Sequence, residues 1–176
     1  LISVVKDCEN EIAVQQGVDF FNEIFKIIFT KIYDEKTNLG KPDSKCQFRI
    51  KATENEKDAS IRIKDLFKKA SHKWSGIFDE GESIKLNDYN VVYTASSIQN
   101  YFLLESDIDV IGAAFEAMVN PDFKGELGQY FTPRQVVKAC VEMLNPKENE
   151  KVADPACGSG GFLIYAMDKV YKDIEK

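Results

Sequence analysis

The chain has 176 residues, the size of one or two compact units, and its 44% hydrophobic and 30% charged residues are the balance of a folded protein rather than a disordered one. Its longest apolar runs are interrupted by Lys, Asp or Asn short of the roughly 18 to 20 residues a membrane span needs, and its start lacks the basic and apolar regions of a signal peptide. A cytoplasmic protein with no membrane partner is expected, and the net charge of -6 argues against indiscriminate coating of nucleic acid.

Charge is unevenly spread, with ten Lys and Arg against five Asp and Glu over residues 41–73. Within that window Lys41, Lys45, Arg49, Lys51, Arg62, Lys64, Lys68, Lys69 and Lys73 read first as a solvated face and second as a contact for DNA phosphates. Cys8, Cys46, Cys140 and Cys157 form no C-x-x-C pair, so they read as reduced thiols rather than as a zinc or redox motif. The one histidine, His72, stands among Lys and Ser and reads as a surface residue.

In chain order, residues 19–36 place Phe20, Phe21, Ile24, Phe25, Ile27, Ile28, Phe29 and Ile32 around most of a helix, with Glu23, Lys26 and Lys31 on the remaining face. That pattern predicts a largely buried helix, broken by Asn38, Gly40 and Pro42. Cys46, Phe48 and Ile50 then alternate with Gln47, Arg49 and Lys51 as in a short strand. Helical spacing returns over residues 58–74 through Ile61, Leu66, Phe67, Ala70 and Trp74, and residues 79–90 form a polar connection. Two helices are predicted over residues 91–104 and 107–119, the second capped by Asp107 or Ser106. Residues 120–129, with Asn, Pro, Asp and two Gly, read as an ordered loop or linker. A helix over residues 133–144, a break at Asn145-Pro146, a short apolar strand over 151–154, a glycine-rich loop and a helix from about Gly161 complete the chain. The expected fold is mainly α, with a helical amino-terminal domain over residues 1–105 and the opening of an α/β domain over 106–176.

Two stretches carry chemistry. Asp154-Pro155-Ala156-Cys157-Gly158-Ser159-Gly160-Gly161-Phe162 lies between the second strand and the last helix, where a doubly wound sheet builds a ligand site. Glycines there let the backbone approach a ligand and adopt positive φ. A phosphate loop would need Lys and then Ser or Thr after its last Gly, where Phe162 and Leu163 stand, and the dinucleotide pattern that starts at Gly158 and Gly160 has Leu163 in place of its third Gly. Upstream, Gly128-Gln129-Tyr130-Phe131-Thr132-Pro133-Arg134-Gln135 predicts a helix start with Thr132 as N-cap, Pro133 in the first helical position and Gln135 closing a capping box. Such a start presents free N–H groups and a positive dipole end suited to a carboxylate.

The nine-residue run resembles motif I of S-adenosylmethionine-dependent methyltransferases, in the spelling of the amino-methylating DNA enzymes, and residues 128–135 resemble motif X of the same enzymes. The resemblance implies that residues 106–176 begin a Rossmann-like methyltransferase domain whose cofactor is S-adenosylmethionine. From motif X it implies that Tyr130, Phe131 and Thr132 close over the methionine carboxylate, with Tyr130 or Phe131 covering the cofactor. From motif I it implies Asp154, Pro155, Ala156, Gly158, Ser159 and Gly160, the glycines for close backbone approach and Asp154 for a carboxylate near the ammonium or its water shell. For Cys157 and Phe162, packing explains as much as ligand contact. More loosely, residues 107–116 are similar to the helix leading into the catalytic domain of type I modification subunits, and residues 20–36 to their helical amino-terminal domain. The family implied is the N6-adenine DNA methyltransferase, or modification subunit, of type I restriction-modification systems, with DNA, a specificity subunit and a restriction subunit as partners.

That family's (Asn/Asp/Ser)-Pro-Pro-(Tyr/Phe/Trp) loop, which takes hold of the amino group of a flipped adenine and stacks on its ring, has no counterpart in these residues. The five prolines, at 42, 121, 133, 146 and 155, are nowhere adjacent. Asn120-Pro121-Asp122-Phe123 has Asp122 in place of the second proline and precedes motif X, so it reads as a turn, and no catalytic residue is assigned. A lone parallel strand cannot form a sheet, the family's ribose-binding acid would lie past Lys176, and Leu1 stands where a starting Met would. The expectation is an amino-terminal fragment that transfers no methyl group by itself. The alternative is a helical DNA-binding or subunit-docking module without catalysis of its own; methylation of protein or RNA is a third reading, disfavoured by the spelling of the loop.

Overall fold

The computed structural model describes residues 2–12, 15–40, 46–104, 132–158 and 160–175. The helix predicted over 107–119, the loop over 120–129 and the turn at Asn120-Pro121-Asp122-Phe123 lie outside them. The chain divides into two compact units, Leu1–Asn120 and Pro121–Lys176. Described elements of the first are α1 (Ile2–Ile12), α2 (Phe20–Asn38), α3 (Glu56–Lys73) and α4 (Asp88–Ile98); those of the second are α5 (Arg134–Leu144) and α6 (Gly161–Ile174). The mainly helical expectation is borne out, and none of these helices is long and apolar enough to cross a membrane. Neither predicted strand forms, and no strand is present among the described residues.

In the first unit α2 and α4 each pack on the other three helices. Val5, Cys8 and Ile12 of α1, Ile24, Ile27 and Ile28 of α2, Ile63, Leu66 and Phe67 of α3 and Val91, Ala95 and Ile98 of α4 form one core. An aromatic group adds directional packing: Phe78 meets Phe29 and Phe67 edge-on at 5.5 and 5.1 Å, and Trp74 meets Phe29 edge-on at 5.5 Å. Phe67 and Phe78, the two buried rings of the group, each contribute about 1.5–3 kcal/mol by leaving water. On α3 the inward isoleucine is Ile63, fully buried, whereas Ile61, expected inside, is 47% exposed. Ala59, Leu66, Phe67 and Ala70 fix the phase of the helix, and Ile61 falls on its opposite side. Ile84 and Leu86 are buried within the connection expected to be polar.

The charged face of α2 is its most structured. Glu23, Lys26, Lys31, Asp34 and Glu35 are all buried, each held by a partner. Lys26 Nζ pairs with Glu23 at 2.7 Å and Glu82 at 3.3 Å and donates to the Ser83 carbonyl, while Glu23 accepts the Lys85 N–H at 2.7 Å. Lys31 pairs with Glu35 at 2.7 Å, and Glu35 accepts the N–H groups of Leu103 and Leu104 at 3.1 and 3.0 Å. A buried charge is tolerated when paired and hydrogen-bonded in this way. The arrangement makes α2 a spine to which the irregular segments are tied by their backbone N–H groups.

The same device explains the missing strand near Phe48. Burial alternates as expected, Phe48 inside and Gln47 and Arg49 outside. The backbone donors, however, go to side chains: Gln47 and Phe48 N–H to Asp34 at 3.1 and 2.9 Å, and Ile50 N–H to Gln99 Oε1 at 3.0 Å. Donors satisfied there need no partner strand.

Candidate functional site

The second unit is built on α5 and α6. Val137 and Val141 pack on Tyr165 and Ala166, with Phe162 partly buried beside them. Pairs between the helices advance together: Arg134 with Tyr165, Glu142 with Lys169 at 3.4 Å, and Lys147, just past α5, with Asp173 at 3.8 Å. Residue numbers rise in step on both, so the helices run parallel. Their amino-terminal ends, one following Thr132-Pro133 and the other following the glycine loop, therefore lie at the same end of the pair. Each exposes backbone N–H groups without an intrahelical partner and the positive end of its dipole.

The start of α5 differs from the capping box expected. The cap position is taken by Pro133, with ψ at 132° and no side-chain capping bond, and its carbonyl accepts the N–H groups of Val136 and Val137 at 2.9 and 3.1 Å. Extended ψ at Pro133 moves the helix start one residue onward, out of register for Thr132 to cap and for Gln135 to close a box. Thr132 and Gln135 are exposed. At the other end Asn145, left-handed at φ 49°, terminates α5 as the break at Asn145-Pro146 implies.

In the glycine loop the Ala156 N–H donates to Asp154 Oδ1 at 3.0 Å, an Asx turn that sets the direction of the chain, and the Gly160 N–H donates to the Cys157 carbonyl at 2.7 Å. Gly158 and Gly160 have φ of +53° and +83°, which side chains rarely adopt, and a Cβ at Gly158 would meet nothing within 4 Å. The loop is thus a turn with its backbone bare on the open side, since Pro155, Ala156, Cys157 and Gly158 are exposed. Such a surface fits a ligand held by main-chain N–H groups. Residues 151–154, expected as a strand, are irregular; among the described residues no second strand stands beside them to pair.

Of the nine residues singled out from the sequence, Thr132, Asp154, Pro155, Ala156, Gly158 and Gly160 lie at this common end, while Tyr130, Phe131 and Ser159 lie outside the described residues. Three residues missed in the sequence join the helices there: Arg134, Lys138 and Tyr165, the lysine Nζ standing 5.6 Å from the centroid of the Tyr165 ring. Arg134 and Lys138 share the i, i+4 face with the buried Val137 and Val141, the one signal that could have marked them. Cys8, Cys140 and Cys157 carry free thiols, Cys140 and Cys157 exposed and Cys8 buried. His72 is exposed, its Nδ1 2.6 Å from the Lys68 carbonyl.

Residues 106–176 match the N-6 DNA Methylase family. Similar curated proteins are the EcoEI methylase subunit of a type I restriction enzyme from Escherichia coli, 48% identical over 46 residues, 26% of this chain and 9% of that protein; the EcoKI methylase subunit of Escherichia coli strain K12, 41% identical over 61 residues, 33% of this chain and 12% of that protein; and the MjaVIII methylase subunit of Methanocaldococcus jannaschii, 39% identical over 62 residues, 34% of this chain and 11% of that protein. The resemblance read from the two motifs is thereby borne out: residues 106–176 are similar to N-6 DNA methylases, and part of the chain is similar to the methylase subunits of type I restriction enzymes. The matches span about a tenth of the length of those relatives.

Proposed function

We infer that the protein carrying this segment transfers a methyl group from S-adenosylmethionine to the N6 amino group of adenine in DNA, as the modification subunit of a type I restriction-modification system. The observation that carries the reading is the pairing of a bare glycine turn with two parallel helix starts. Gly158 and Gly160 let the backbone approach the ligand closely, the two dipole ends favour a carboxylate, and Asp154, turned into its loop by Ala156, sets a negative charge near a ligand ammonium. The zwitterionic methionine end of the cofactor matches that combination. Tyr130 and Phe131 would cover it, and Thr132, Pro155, Ala156 and Ser159 would complete its walls. The cofactor itself supplies the electrophilic methyl.

The Rossmann-like reading of residues 106–176 has two supports. Because α5 and α6 are parallel, the connection over residues 145–160 must run back along α5, roughly 16 Å for 11 residues. That return is what the strand of an α/β unit provides. Each helix also has a second apolar stripe left in water: Val136 and Met143 on α5, 48% and 85% exposed, and Met167, Tyr171 and Ile174 on α6, 51%, 59% and 54% exposed. A sheet packed on those stripes would bury them. For residues 1–105 the proposal is contact with DNA and with the specificity subunit, while the restriction subunit is the partner of the whole system. Arg62 and Lys64 are held by Glu54 and Asp88, while Arg49, Lys51, Lys68, Lys69 and Lys73 are exposed; of these, Lys68, Lys69 and Lys73, close together towards the end of α3, are the phosphate-facing candidates.

The test is product analysis. The intact methylase with its partner subunits, given radiolabelled S-adenosylmethionine and unmodified DNA, should yield label only in N6-methyldeoxyadenosine after digestion. Label in methylcytosine or in protein refutes the reading.

A further inference from the structure

Side chains join α5 to α6 at three levels. Far from the helix starts, Lys147 and Asp173 are 3.8 Å apart, and midway Lys169 and Glu142 are 3.4 Å apart. Lys147 and Glu142 are largely solvated, so these pairs are weak. The level nearest the helix starts is different. Tyr165 is only 8% exposed, Arg134 donates from Nη1 to its hydroxyl at 3.4 Å, and Lys138 Nζ lies over its ring at 5.6 Å. Tyr165 sits just over one turn into α6, directly behind the glycine loop; Arg134 and Lys138 sit in the opening turns of α5, directly behind Thr132-Pro133.

The geometry points to Tyr165 as a positioning residue. By gathering two cations from the start of α5 around one phenol on α6, it sets the distance between Thr132 and the glycine loop, and so the width of the pocket for the methionine end of the cofactor. The inference rests on the cofactor reading above. Packing alone does not ask for the hydroxyl, since a phenylalanine ring would fill the same space against Val137, Val141 and Phe162 and keep Lys138 on its face. The hydroxyl is the part that reaches Arg134, and the two cations keep the surroundings positive where an anionic ligand group arrives.

Tyr165→Phe in the intact methylase isolates that contact. Titration calorimetry should show the Kd for S-adenosylmethionine raised roughly threefold to tenfold, the range for losing one hydrogen bond, with the thermal unfolding midpoint and the Kd for target DNA unchanged. Arg134→Lys should also raise the Kd for S-adenosylmethionine, and the double variant should bind no more weakly than Arg134→Lys alone, because that substitution already removes the contact the Tyr165 hydroxyl makes. Wild-type cofactor affinity in Tyr165→Phe, additive effects in the double variant, or loss of affinity that tracks a fall in the unfolding midpoint would each overturn the inference. If the wild-type protein binds no cofactor at all, the underlying reading falls and this inference with it, a result distinct from a wild-type protein that binds and a variant that binds equally well.

Discussion

Lys169 of α6 reaches Glu142 of α5 at 3.4 Å, at the same depth along two helices that run parallel. That relationship places the residues around Thr132 and the glycine loop at one end of the helix pair, and the account of function depends on it.

Thr132 separates a structural role from a ligand-contacting one. Its side chain forms no cap on α5, so Thr132→Ala should leave the unfolding midpoint of the intact protein unchanged, within the roughly 0.5 kcal/mol of an ordinary surface substitution. Affinity for S-adenosylmethionine should fall several-fold. Equal calorimetric affinity in variant and wild type would remove Thr132 from the site.

Glu35 tests the spine formed by α2. Its side chain is 6% exposed, pairs with Lys31 and accepts two backbone N–H groups from the segment after α4. Glu35→Ala leaves the buried Lys31 ammonium without its counter-charge, with the Gln99 carbonyl 3.2 Å away, and strands two donors; it should destabilise the first unit by about 3–5 kcal/mol. Urea unfolding followed by circular dichroism reads this directly; a loss below about 1 kcal/mol would show that solvent reaches the group.

Helix α2 was legible because its apolar residues recur at helical spacing, and the glycine turn because few residue types tolerate its backbone. The buried state of Glu23, Lys26 and Lys31 was not legible: charge on a helix face reads as solvated, and their partners Glu82, Ser83, Lys85 and Gln99 are far away in sequence. The segment around Phe48 shows the same limit, since alternation gave the burial of its side chains correctly while Asp34 and Gln99 took the donors a strand partner would have used. In the candidate site, the residue types of motif I were readable, whereas the tie from Arg134 to Tyr165 depends on helix packing that no local pattern encodes.

Glu54 makes stability respond to acid. The Arg62 guanidinium, hydrogen-bonded to it, holds the Glu54 carboxyl below the usual carboxylate range, against the opposing effect of burial. A carboxyl whose folded pKa is depressed stabilises the fold above its ordinary pKa, about 4.3 for Glu, and loses that contribution as pH falls through the depressed value. The gap in unfolding midpoint between wild type and Glu54→Gln should therefore be constant from pH 7 to about pH 5 and close below about pH 4. A gap that persists undiminished at the acid end would contradict the assignment.

The proposed contact of the first unit with DNA rests on Lys68, Lys69 and Lys73. Changing all three to Glu in the intact methylase should weaken DNA binding in gel shifts and flatten its dependence on salt, because each lost phosphate contact lowers the slope by about 0.9. Unchanged affinity and slope would assign those lysines to the solvated face alone.

The central claim is that the glycine turn behind α6 holds S-adenosylmethionine, and calorimetric titration of the cofactor into the intact methylase tests it most directly. Wild type should bind one cofactor per methylase subunit, while a Gly158→Ala, Gly160→Ala double variant, forced from φ of +53° and +83°, should bind at least tenfold more weakly, about 1.4 kcal/mol or more. Wild-type affinity in that variant, or no cofactor binding by the wild type, would contradict the account.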